Sequence, residues 1–126
     1  MYTFKKEERL CNKKLIDELY HNGSSFLCYP FKVSWLLTQS SPQPAQIIFS
    51  VAKKRYRRAA DRNLIKRRMR EAYRLHKQQF LYEQLTTRSQ SILLSVSYIG
   101  TDIAGYGFIE KKMLKMFIQL CEKLGQ

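Results

Sequence analysis

Arg58, Arg62, Lys66, Arg70 and Arg74 stand four residues apart, with Asn63, Arg67 and Lys77 beside them. Side chains at i and i+4 are neighbours on a helix, so this spacing gathers five cations into one ridge. A guanidinium offers a planar fork of N–H donors that matches two phosphate oxygens. Asn63 can hold the preceding loop, a sugar or a base edge. The chemistry is the gripping of a polyanion. The stretch from Lys53 to Lys77 holds twelve Lys and Arg against two acids, Asp61 and Glu71. Carboxylates that would balance the ridge are therefore missing. Like charges at this spacing cost a helix a few tenths of a kcal/mol per pair. A buried apolar face tolerates that cost, and a phosphate backbone reverses it. A solvated helix face is the competing reading of the same residues.

Nothing else in the chain has the pattern of a self-contained catalyst. His21 and His76 lack a local partner, and the ten acids are scattered, mostly next to basic residues. Gly105 and Gly107 precede a helical stretch without the rest of a dinucleotide fingerprint, and no nucleophile motif is present. Cys11, Cys28 and Cys121 have no zinc-ligand spacing. Free, reduced thiols and a cytoplasmic location are expected. No protein-held metal and no catalytic side chain are expected.

Composition agrees. The 126 residues predict one domain, residues 1–126, and 44% hydrophobic content argues against disorder. A net charge of +13 and a pI near 9.9 point to nucleic acid first and an anionic membrane second. "MYTFKKEERL" lacks the apolar segment of a signal peptide, and no apolar run approaches the roughly 18 residues of a membrane span.

The positioning elements follow from periodicity. "CNKKLIDELYHNG" predicts a short helix capped by Asn12 and ended by Gly23 in a left-handed conformation, with Leu15, Ile16, Leu19 and Tyr20 on its apolar side. "SFLCYPFKVSWLL" alternates Phe31, Val33 and Trp35 with Lys32 and Ser34, which is strand periodicity, and Pro30 belongs at a strand start or edge. "TQSSPQPAQ" is a loop, and "IIFSVA" is a strand ending at Ala52. From about Ala60 to Tyr82, Leu64, Ile65, Met69, Ala72, Tyr73, His76 and Phe80 make the apolar face of a long helix. "SILLSVSYI" is a largely buried strand, and Phe108 to Leu124 is a second amphipathic helix. The strand–helix–strand unit from Ile47 to Ile99 predicts a parallel strand pair. The fold class is α+β: an α/β sandwich with helices over one sheet.

The sheet offers a second surface. Lys32 and Ser34 share one face of their strand, and Ser50 and Ala52 share one face of theirs. A groove floored by small polar residues, edged by the basic helix and by Tyr20, suits a single strand of RNA. Phosphates would meet Arg and Lys while a base stacks on an aromatic ring. Core packing is the alternative role for Tyr20.

At "DRNLIKRRMREAYRLHK" the sequence resembles the protein subunits of bacterial ribonuclease P, whose long helix opens on an Arg-Asn-Arg triplet, then Lys-Arg, followed by Arg and an aromatic. Arg62, Asn63, Lys66, Arg67, Arg70 and Tyr73 match it. "FKKEERL", "LYHNG" and "FSVAKK" are similar to the family's N-terminal segment, first-helix end and strand before the basic loop. Leu64 stands where the family has its second Arg, and Ile16 where it commonly has an aromatic.

The resemblance implies a ribosomal-protein-like fold of order α-β-β-β-α-β-α, with a long basic helix over a four-stranded sheet. It implies a ribonucleoprotein that removes the 5′ leader of precursor tRNA, with a catalytic RNA subunit and magnesium bound mainly by the RNA and substrate. Lys53, Lys54, Arg58, Arg62, Asn63, Lys66, Arg67, Arg70 and Arg74 would bind the catalytic RNA. Ile16, Tyr20, Lys32, Ser34, Ser50 and Ala52 would bind the single-stranded leader. One protein, monomeric, would pair with one RNA, without membrane or DNA partners. A ribosomal-type RNA-binding protein without a role in catalysis is the alternative. A DNA-reading helix is disfavoured because no helix-turn-helix partner or dimer face is visible.

Overall fold

The structure, a computed structural model, describes residues 3–39 and 42–125. Ser40 and Ser41 of the expected loop lie outside the described residues. A single 3-10 turn, Lys6–Glu8, precedes helix α1, Lys13–Asn22. Strands β1, Ser24–Cys28, β2, Phe31–Thr38, and β3, Ala45–Val51, follow. The long helix α2 spans Ala59–Lys77 and continues through a π-helical stretch, Gln78–Tyr82, into the short helix α3, Glu83–Thr87. Strand β4, Ser91–Tyr98, and helix α4, Tyr106–Leu124, complete the chain. The sheet order is β1-β2-β4-β3, with β3 and β4 parallel as the strand–helix–strand unit predicts and the other pairs antiparallel.

Strand alternation decides which side chains reach which layer. On one face Phe31, Val33, Ile47, Phe49, Leu94, Val96 and Tyr98 are buried against Ile65, Met69, Ala72 and Tyr73 of α2 and Ile109, Met113, Met116, Phe117 and Leu120 of α4. Each large apolar side chain sealed there stabilises the fold by about 1.5–3 kcal/mol. That burial offsets the like-charge repulsion along α2. On the opposite face, Leu10 and Leu19 pack on Leu93, with Leu15, Ile16, Leu36 and Ile48 around them. The sheet is thus sandwiched, with α1 on one side and α2 and α4 on the other.

Local signals explain the helix ends, with two corrections. Asn12 Oδ1 accepts from the Lys14 and Leu15 amides at 3.0 and 3.3 Å, so the cap forms as expected. Gly23, however, is extended at φ −79° and ψ 163°, not left-handed. Glycine is needed because a Cβ would lie 2.8 Å from Trp35 O and even nearer Leu19 O. The α-helical geometry of α2 stops at Lys77 instead of running to Tyr82.

Lys77 itself is buried, not beside the cationic ridge. Its ammonium donates to Glu8 Oε1 and Thr3 O, and Tyr82 Oη donates to the same Glu8 oxygen at 2.6 Å. The Lys5 amide donates to Glu8 Oε2 at 2.6 Å. Burial pushes the Glu8 carboxyl up, but these donors together with the Lys77 charge outweigh it and hold the group below its ordinary value. Burial likewise pushes the Tyr73 and Tyr82 phenols up. The N-terminal segment is thereby fastened to the end of α2, and Leu10 N donates to Ile47 O along the β3 edge.

Candidate nucleic-acid interface

The face of the sheet under α1 is apolar at one end and polar at the other. Leu36, Leu93 and Ile48 lie beneath the helix. Beyond them, strand register sets Ser25, Ser34 and Ser95 side by side, and then Leu27, Lys32, Ser97 and Ser50. Ser50 and Ser97 hydroxyls meet at 2.7 Å. Tyr20 leaves the end of α1 as a 54% exposed residue with its hydroxyl 2.8 Å from Ser95 Oγ. That bond orients the ring over the serines while leaving it open to a ligand. Lys32 is exposed on the same face.

Of the expected groove residues, the structure brings Tyr20, Lys32, Ser34 and Ser50 together. Ile16 instead packs in the apolar cluster below α1. Ala52 lies past the end of β3, in the loop. Ser95 and Ser97 complete the floor and were missed by sequence reasoning, because "SILLSVSYI" reads as a buried strand. The alternation of Leu93, Ser95 and Ser97 against Ile92, Leu94, Val96 and Tyr98 was the available signal.

The basic helix does not edge this groove along its length. Its body packs on the other face of the sheet, and the loop from Ala52 to Arg58 leaves β3 at the polar end. That loop is pinned to the chain after β4: Arg55 donates to Ile99 O at 2.5 Å and Tyr56 to Gly100 O at 2.7 Å. Lys53, Lys54, Arg57 and Arg58 are exposed on it.

The five-membered ridge also resolves into parts. A step of four residues overshoots the helical turn by about 40°, so the row winds around the axis. Arg62 starts near the core side, where its guanidinium donates to Tyr56 O and Arg57 O, both at 2.8 Å. It closes the loop onto the helix start, a role Arg58 does not perform with its own side chain. At the far end, Arg74 grips Glu71 through two nitrogens at 2.5 and 3.1 Å, which holds the Glu71 carboxyl below its usual range. Arg68 donates to Ala104 O at 2.6 Å. Asn63, Arg67 and Arg70 are exposed and Lys66 half-buried, and among the described residues Lys66, Arg67 and Arg70 have no carboxylate in ion-pair reach. Leu64 is half-buried beside them.

Cys11, Cys28 and Cys121 are free thiols. Among the described residues, no group of three His, Cys, Asp or Glu side chains could hold a metal, and no helix is long and apolar enough to cross a membrane.

Comparison with known proteins places these surfaces in context. A family model described as Ribonuclease P matches residues 4–98. The "Ribonuclease P protein component" of Porphyromonas gingivalis (strain ATCC 33277) is 32% identical over 120 residues, covering 94% of this chain and 87% of that protein. The component from Chlorobaculum tepidum is 41% identical over 69 residues, 52% of this chain and 45% of that protein. In solved structures, the Staphylococcus aureus RNase P protein superposes with a TM-score of 0.67 at 20% identity, over 90% of this chain and 94% of that one.

Proposed function

The chain belongs to the ribonuclease P protein family, whose general role is in tRNA processing, and from that premise we propose how its two surfaces divide the work. Lys53, Lys54, Arg58, Asn63, Lys66, Arg67 and Arg70 bind the catalytic RNA. Arg62 shapes the loop that carries several of them, and Arg74 contributes after exchanging Glu71 for phosphate. The polar end of the sheet holds the single-stranded 5′ leader of precursor tRNA, with Tyr20 as a stacking platform and Lys32 as a phosphate contact. Ser34, Ser50, Ser95 and Ser97 form a floor low enough for bases to approach. Cleavage is RNA-catalysed, in a complex of one protein with one RNA in the cytoplasm.

Magnesium, held by RNA and substrate, would activate water and stabilise the leaving oxygen. The described side chains offer no carboxylate cluster for it, so no step is assigned to a protein-held ion. The chain's own part is to bind and orient.

The observation that carries this reading is the pairing of unbalanced cations on α2 with an open serine floor under an oriented, exposed tyrosine. The test adds purified chain to catalytic RNA at low magnesium and follows leader removal. Stimulated cleavage, with precursor bound more tightly than mature tRNA, is expected. Absent stimulation defeats the reading, and equal binding of precursor and mature tRNA favours a ribosomal-type binding protein.

A further inference from the structure

A second recess opens at the end of the sheet, apart from the serine floor. The β1–β2 turn, the end of β4 and the start of α4 enclose about 380 Å³ lined by Tyr29, Pro30, Tyr98, Asp102, Ala104 and Phe108, among others. Tyr29 and Phe108, both lining the recess, are 55% and 44% exposed, so two large rings stand open to a ligand at one place. Three cations are attached to its surroundings. Arg68 reaches from α2 to Ala104 O, Arg55 reaches from the basic loop to Ile99 O, and the Lys112 ammonium lies 5.5 Å above the Phe108 ring. The wall is apolar and aromatic, its surroundings are basic, and its one acid is Asp102.

Each feature narrows the ligand. Two exposed aromatic rings suit a flat π-system. The cations suit a ligand joined to phosphates. Asp102 repels a phosphate inside the recess but accepts a hydrogen bond from the N–H edge of a base. We propose that this recess receives one unstacked RNA nucleobase, gripped between Tyr29 and Phe108, while the adjoining phosphates lie toward the loop of Lys53, Lys54, Arg57 and Arg58. This rests on the RNA-binding reading above and adds a contact distinct from the serine floor. The base could come from the catalytic RNA or from the precursor, and the two sources separate experimentally.

The test uses Phe108→Ala, Phe108→Tyr and Arg70→Ala in the full chain, with thermal melting to confirm the fold; Phe108 is 44% exposed, so its removal should leave a cooperative transition in place. Binding is measured twice, as chain to catalytic RNA and as precursor to the assembled complex. Loss of a base stack should weaken one of the two by about tenfold in Phe108→Ala, with Phe108→Tyr restoring it. Weakened assembly assigns the base to the catalytic RNA, and intact assembly with weakened precursor binding assigns it to the substrate. If Phe108→Ala matches wild type in both measurements while Arg70→Ala weakens assembly, the recess is not a base site but the RNA reading stands. If wild type itself fails to bind catalytic RNA, both fall.

Discussion

Arg70 and Arg62 lie two turns apart in the same row of basic residues, yet the structure assigns them different work. Arg70 is exposed and free of carboxylate partners among the described residues. Arg62 donates through Nη1 to two backbone carbonyls, both at 2.8 Å. Arg70→Ala should leave stability within about 0.5 kcal/mol of wild type, as for an exposed side chain without a structural contact. It should remove one phosphate contact from the RNA complex. One contact changes the slope of log affinity against log salt by roughly 0.7 for single strands and 0.9 for duplex. Between about 50 and 200 mM salt, a fourfold rise, the gap between wild type and variant should therefore shrink by about threefold. Arg62→Ala should instead lower stability by about 1–2 kcal/mol, since two charge-assisted hydrogen bonds are lost at a half-exposed site. Filter binding across a salt series gives the slopes, and urea unfolding gives the stabilities. An unchanged slope for Arg70→Ala, or an Arg62→Ala variant as stable as wild type, would refute the division of roles.

Further outcomes follow from individual contacts. Lys77→Met strands the Glu8 carboxylate in the interior and should cost about 3–5 kcal/mol by urea unfolding, whereas Glu8→Leu combined with Lys77→Met should recover most of it. Because Glu8 titrates below its ordinary value when folded, its contribution is present above the unfolded-state value and lost as pH falls through the folded one. Lys77→Met removes the charge and the donor that hold Glu8 down and leaves burial to push it up, so the acid-induced loss should shrink and the variant's deficit should narrow as pH falls; a deficit independent of pH would count against the pair. Tyr20→Ala should weaken precursor binding by about 5-fold or more without changing assembly on catalytic RNA, as read by separate titrations of each. Gly23→Ala should destabilise by about 1–3 kcal/mol, because the new methyl meets two backbone carbonyls that cannot yield; a melting temperature equal to wild type would show that the turn relaxes.

The local elements were legible because their causes are local. Asn12 caps α1 through its own side chain, Phe31 and Val33 alternate with Lys32 and Ser34, and Ile65, Met69, Ala72 and Tyr73 return at helical spacing to the buried face. The cationic character of residues 53–77 needs no structure, because charge is additive along the chain. The sequence also carried the family resemblance that the family-model match and the relatives bear out.

Partnership across long sequence distances was decided only in three dimensions. Lys77 reads as one more cation until Glu8, 69 residues away, meets it in the interior. Arg62 reads only as a phosphate ligand until the carbonyls of Tyr56 and Arg57 arrive within hydrogen-bond reach of its Nη1. Ser95 and Ser97 read as minor breaks in a buried strand until register sets them beside Ser34, Lys32 and Ser50 and brings Tyr20 above them. Residue type and spacing state what a side chain is able to do. Strand pairing and helix packing determine which groups compete for it, and so which cations and hydroxyls remain open to RNA.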